Sequence, residues 1–132
     1  MRIAVIEAPE AAVHVVLAAP TGDSGQLADF LVQTGAEGLQ HLAFAVPDLR
    51  AAMVDLVAQG FRFVGGAEDP DRAIVEVREG DSWLRQAFTE PLFGGIFLEL
   101  IERNGITGMR PGNIQSLYVL NEDSQCRTAL AG

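Results

Sequence analysis

No stretch of this sequence approaches the ~20 consecutive apolar residues that a membrane-crossing helix needs. Nor does a basic leader precede a signal-like apolar core at its N-terminus. Cysteine is nearly missing too. The single Cys126 excludes an intramolecular disulfide and fits a reducing compartment. Basic residues are scarce, with 9 Lys and Arg against 18 Asp and Glu and a formal charge of −9. Without a basic cluster to neutralise phosphates, nucleic acid and anionic membrane surfaces are excluded as partners. Glycines at Gly105, Gly108 and Gly112 lack the Lys and Ser/Thr spacing of a phosphate loop and read as turn residues. Together these features lead us to expect a soluble, cytoplasmic protein.

The chain has 132 residues, 48% of them hydrophobic, enough for one domain with a core of its own. Two β-type runs, Arg2–Glu7 and Ala12–Ala18, flank a turn at Ala8-Pro9-Glu10. Ser24 is placed to cap a short helix with Leu27, Phe30 and Leu31 on one face, ending near Gly35. The strand around His41 follows. Asp48 then caps a helix in which Leu49, Met53, Leu56 and Val57 recur at helical spacing up to Gly60. Phe61–Val64 reads as a strand and Gly65–Asp71 as a loop. Ala73–Val77 and Trp83–Thr89 form a hairpin turning at Arg78-Glu79-Gly80-Asp81, and Gly95–Arg103 is the most apolar strand. Asn113 is a candidate cap for a last helix, Ile114–Leu120. The expected class is α+β. Residues 1–20 form an extra N-terminal β-hairpin, 38–104 a βαβββ module and 105–132 a C-terminal helix and tail. About six strands make an incomplete, barrel-like mixed sheet flanked by helices.

Two titratable residues interrupt apolar strands: His41 within Leu39–Val46 and Glu99 within Ile96–Ile101. A buried carboxylate must be protonated, paired or metal-bound. A histidine and a carboxylate converging from one sheet supply two of the three ligands of a two-His-one-carboxylate iron site. Strand alternation puts His41 on one face with Leu39, Ala43 and Ala45, where the two alanines leave space. The same reasoning puts Glu99 on a face with Phe97 and Gln86 on a face with Phe88; if both are the concave face, they gather with His41 around one pocket. Other readings stay open: His41 as a satisfied core residue, Glu99 as the partner of Arg85 or Arg103, Gln26 as a solvated polar residue. His14, between Val13 and Val15, reads as a sheet-surface or dimer-contact residue. Cys126 has no catalytic context.

Four ordered words, Gly38-Leu39-Gln40-His41-Leu42-Ala43, Leu84-Arg85-Gln86-Ala87-Phe88-Thr89, Phe97-Leu98-Glu99-Leu100-Ile101-Glu102-Arg103 and Gly108-Met109-Arg110-Pro111-Gly112-Asn113, carry a family resemblance. The chain resembles the vicinal oxygen chelate (glyoxalase/bleomycin resistance/dioxygenase) superfamily. Within it, the chain looks like the C-terminal part of 4-hydroxyphenylpyruvate dioxygenase and of its relative hydroxymandelate synthase. That resemblance implies an oxidoreductase with His41 and Glu99 as ligands of Fe(II) or another divalent metal, Zn, Mn, Co and Ni being the other candidates. It implies Gln26, Gln40, Gln86, Phe88, Phe97 and Asn113 around a small α-keto acid that chelates the metal beside dioxygen.

The family's first histidine ligand corresponds to a strand upstream of residue 1, and His14 falls at a non-ligand position. Ile3 and Ala18 stand where the family has polar residues, Met109 and Ile114 where it has an aromatic pair, and the Gly65–Asp71 loop is shorter. The expected partners are therefore the small ligand and a second chain, as homodimer or heterocomplex, that supplies the missing half. Two rival functions follow from the same residues: a non-catalytic binding or accessory module without iron, and a metal-dependent isomerase or lyase using Glu99 or a metal-bound water as base.

Overall fold

The computed structural model describes residues 1–66 and 69–106. Their order is β1 (Arg2–Ala8), β2 (Val13–Ala19), α1 (Gln26–Thr34), β3 (His41–Ala45), α2 (Leu49–Ala58), β4 (Val75–Glu79), β5 (Ser82–Phe88) and β6 (Phe97–Asn104). Residues 41–104 thus realise the expected βαβββ order. The final helix, its cap Asn113 and the residues Met109, Ile114 and Cys126 lie outside the described residues.

The strands form two sheets rather than one open sheet of about six. β1 and β2 pair antiparallel as a hairpin, and the second sheet has the order β3-β6-β5-β4. β3 runs parallel to β6, while β5 is antiparallel to both its neighbours. No strand joins β2 to β3 because the intervening chain goes into α1. Both strands therefore keep a free edge among the described residues.

Local chemistry explains most element ends. The Asp48 carboxylate accepts a hydrogen bond from the Ala51 N–H at 2.9 Å, satisfying one of the orphan donors of α2. Glu102 Oε2 accepts from the Leu49 N–H at 3.4 Å, adding a second carboxylate at the positive end of that helix. α1 stops at Gly35, whose φ of 68° is the left-handed conformation that glycine adopts cheaply. Its start differs from expectation: Gly25, not Ser24, is the N-cap and no side chain caps the helix.

Phe61–Val64 is not a strand. Phe63 makes one isolated bridge to Thr89, and the Val64 N–H and Arg62 carbonyl bond to Phe88 and Glu90. The β4–β5 turn sits one residue later than expected, since Glu79 pairs with Ser82 and only Gly80 and Asp81 remain in the loop. Gly80 takes the positive φ (61°) that such a two-residue turn demands.

The core lies between α2 and one face of the larger sheet, where Leu49, Met53, Phe63, Ala73, Ala87 and Leu100 are all buried. Leu56 packs against this cluster, but Val57 is half exposed. A second cluster, Leu84, Ile101 and Ile106 with Val77, lies on the opposite face. That second face carries His41 and Glu99. No helix of the described residues is long and apolar enough to cross a membrane.

Candidate metal centre

His41 opens β3, and its register partner on β6 is Phe97. Neighbouring register partners share a sheet face, so the two rings stack with centroids 5.0 Å apart and planes 17° off parallel. Phe88 meets Phe97 edge-on at 6.2 Å. Glu99, two residues along β6, returns to the same face, and its register partners are Ala43 on β3 and Phe88 on β5. Ala43 offers no side chain beyond Cβ. His41 and Glu99 therefore meet above it, with Nε2 and Oε2 3.5 Å apart.

Gln86 completes the group. Its Nε2 donates to Glu99 Oε1 at 2.5 Å, while its Oε1 is buried without a hydrogen-bond partner among the described residues. Gln86 and Glu99 are 2% and 3% exposed, so water cannot substitute freely for these contacts. The side chain of His41 keeps 30% of its surface, and Ala43 and Ala45 are exposed. The face is buried at Glu99 and open at His41. A small ligand could approach from the β3 side.

The electrostatics argue against a permanent ion pair. Burial pushes the Glu99 carboxyl up to about 7, and the Gln86 hydrogen bond and the Arg103 charge only partly oppose that effect. Burial also lowers the His41 imidazole below its ordinary value. Both groups lean toward their neutral forms, and a contact of 3.5 Å between them is no strong salt bridge. Arg85 is not the counter-charge. It bonds Glu76 at 2.6 Å and lies 3.9 Å from Glu102, on the face occupied by α2, where it also stacks over Trp83.

An unprotonated imidazole nitrogen and a carboxylate oxygen, this close on one face, are a donor set that suits Fe(II), Zn or Co. The residues present fit a divalent metal as two of its ligands. Among the described residues no third His, Cys, Asp or Glu joins them. His14 belongs to the other sheet, exposed, with Nε2 4.0 Å from Glu7 Oε1.

The structure brings His41, Glu99, Gln86, Phe88 and Phe97 together as the strand pattern requires. Gln40 joins them through His41 Nδ1, 3.2 Å from Gln40 Oε1. Alternation could not reveal that contact, since adjacent strand residues point to opposite faces. Gln26 is the half-buried first residue of α1 and hydrogen-bonds to neither ligand among the described residues.

Residues 1–79 match the family model described as Glyoxalase/Bleomycin resistance protein/Dioxygenase superfamily. The chain belongs to this superfamily. It is 31% identical over 128 residues to a 4-hydroxyphenylpyruvate dioxygenase of a Pseudomonas species, an alignment covering 79% of this chain and 36% of that enzyme. It is 28% identical over 141 residues to the enzyme of the same name from Pseudomonas aeruginosa, covering 91% of this chain and 40% of the relative. Among solved structures, a triple mutant of 4-hydroxymandelate synthase from Streptomyces coelicolor superposes with a TM-score of 0.69 at 27% identity, covering 88% of this chain and 39% of that one. The chain thus spans well under half the length of these superfamily relatives.

Proposed function

We propose that this chain is the metal-binding part of a cytoplasmic, dioxygenase-like oxidoreductase acting on a small α-keto acid. His41 and Glu99 would hold Fe(II), or another divalent metal in its place. The observation that carries this reading is the 3.5 Å approach of His41 Nε2 to Glu99 Oε2 on a face open at one side. The similarity to dioxygenases in sequence and fold supports it.

Fe(II), when bound, would supply a redox centre for dioxygen and two-point chelation of the keto acid. The chain's own residues do the rest. His41 offers a neutral nitrogen, and Glu99 gives up its proton to become a ligand. Gln86 holds Glu99 with its amide N–H and keeps its unpartnered Oε1 for a donor on the bound acid. Phe88 and Phe97 wall the site against water and give an aromatic substrate a surface to pack on. Gln26 and Asn113 are assigned to the substrate by the family resemblance. The remaining positions around the metal would be filled by a second chain, as homodimer or heterocomplex, across the free edge of β3.

A second reading is a binding module that has lost its iron. The two-donor set and the neutral tendency of Glu99 favour it. Protein purified without oxygen, analysed for metal and then given Fe(II) and a series of small α-keto acids in an oxygen electrode, separates the readings. The first requires bound metal and an oxygen uptake that His41→Ala abolishes. Absence of stoichiometric metal after Fe(II) loading would overturn it in favour of the binding module. Bound metal without oxygen uptake would point to an isomerase or lyase.

A further inference from the structure

Each proposed metal ligand is held by a glutamine, and each through the atom that does not face the other ligand. Gln86 Nε2 donates to Glu99 Oε1 at 2.5 Å, which leaves Oε2 toward His41. Gln40 Oε1 lies 3.2 Å from His41 Nδ1, which leaves Nε2 toward Glu99. An amide oxygen can only accept. A hydrogen bond to that oxygen requires the ring proton of a neutral His41 on Nδ1, which would leave the lone pair on Nε2.

The two neighbours of the ring divide the task of holding it. Phe97 fixes its plane by stacking at 5.0 Å, which leaves its proton unspecified. Gln40 specifies the proton, and its position is anchored because its own carbonyl accepts from the Phe97 N–H at 3.2 Å. Gln40 precedes the first residue of β3, so strict strand alternation does not apply to it, and its side chain can reach the face of its neighbour.

We propose that Gln40 is a positioning residue that locks His41 as the Nδ1–H tautomer and so presents Nε2 as the metal-binding lone pair. This assigns Gln40 to the ligand rather than to the substrate alone. It deepens the proposed metal site, but its first test is independent of any metal. A hydrogen-bonded partner on the distal nitrogen is how proteins orient a ligating histidine.

The test uses the full 132-residue chain labelled with ¹⁵N-histidine, metal-free, at pH 8. The chain has only two histidines, so His14 is the internal reference. Long-range nitrogen–proton correlation should show His41 protonated at Nδ1. Protonation at Nε2 in the wild type would overturn the proposal outright. Gln40→Leu should give His41 a mixed tautomer while leaving the His14 signals unchanged, and Gln40→Glu, which keeps an acceptor, should restore the single form. An unchanged tautomer in Gln40→Leu would also overturn the lock.

Titration with Co(II) is the second arm. Gln40→Leu should weaken affinity about tenfold, with recovery in Gln40→Glu. A mixed tautomer with unaltered Co(II) affinity would remove the link between Gln40 and the metal. A wild type that shows the tautomer but binds no Co(II) would sink the metal-centre reading and leave the lock standing.

Discussion

His41 and Glu99 are not register partners, yet Nε2 of one lies 3.5 Å from Oε2 of the other. β3 and β6 pair His41 with Phe97 and Ala43 with Glu99. The 3.5 Å approach is a diagonal one, possible because the residue between them is alanine. Ala43→Leu should therefore fill the gap and separate the two donors. Ala43 is exposed, so the fold should tolerate the change with a loss under about 1 kcal/mol. Co(II) affinity should fall by at least an order of magnitude. Calorimetric titration checks this, and unchanged affinity would mean the two residues do not share a metal.

Glu99→Gln keeps the shape and removes the charge. The new amide can still accept from Gln86, and no counter-ion needs to be stranded if Arg103 acts only through its field. Urea unfolding of the metal-free protein at pH 8 should show equal or higher stability than the wild type, together with loss of Co(II) binding. If Arg103 instead neutralises Glu99 structurally, the same change should cost roughly 3–5 kcal/mol.

The pH dependence of stability follows from the same group. The folded Glu99 carboxyl titrates at about 7, above its ordinary 4.5. A raised carboxyl contributes stability that is complete below the ordinary value and lost as pH rises through the folded one. Between pH 5 and 8 the metal-free wild type should lose on the order of 3 kcal/mol relative to Glu99→Gln. Metal affinity should run the other way, rising through pH 7 as the competing proton leaves. A flat difference between wild type and variant would show that Glu99 is ionised at all pH values in this range.

Assembly can be tested at the two apolar surfaces that the described residues leave uncovered. Ile6, Val13, Val15 and Leu17 lie on one side of the hairpin and are each about half exposed, as are Leu42 and Phe44 on the edge strand β3. Free edges with apolar faces attract partners. At micromolar concentration light scattering should report a mass above that of one 14.1 kDa chain. Phe44→Lys, which places a charge on the β3 edge, should shift it to monomer. A wild-type monomer would refute the homodimer and leave a different chain as the partner required.

The site was legible in the sequence where a short-range rule applied. Period-two alternation put Glu99 with Phe97 and Gln86 with Phe88, the pairing of β5 with β6 then unites the two faces, and the alanines at 43 and 45 announced the gap beside His41. Asp48 was legible as a cap because a carboxylate before an apolar helical pattern has one good use. Failures came where a tertiary or backbone choice decides. Phe61–Val64 has strand-like composition, but only Phe63 finds a partner strand. Ser24 lost the cap to Gly25, whose φ of 95° is a backbone requirement that propensity does not reveal. Nothing local could show that the hairpin and the larger sheet would remain separate sheets.

Among the described residues no third His, Cys, Asp or Glu joins His41 and Glu99, so in a chain without its partner water would occupy most positions around a bound divalent ion, and affinity should be modest. An α-keto acid brings two oxygens at once and would displace two waters at the entropic cost of ordering one molecule. Pyruvate should therefore tighten Co(II) binding, and Co(II) should tighten pyruvate binding by the same factor, because linkage is reciprocal. We expect a factor of about 5–150, the usual range for coupled sites, measured by titrating Co(II) with and without saturating pyruvate. In His41→Ala the coupling should vanish along with the metal. If pyruvate bound the wild type equally well with and without Co(II), the keto acid would sit away from the metal, and the chelating role proposed for it would fall.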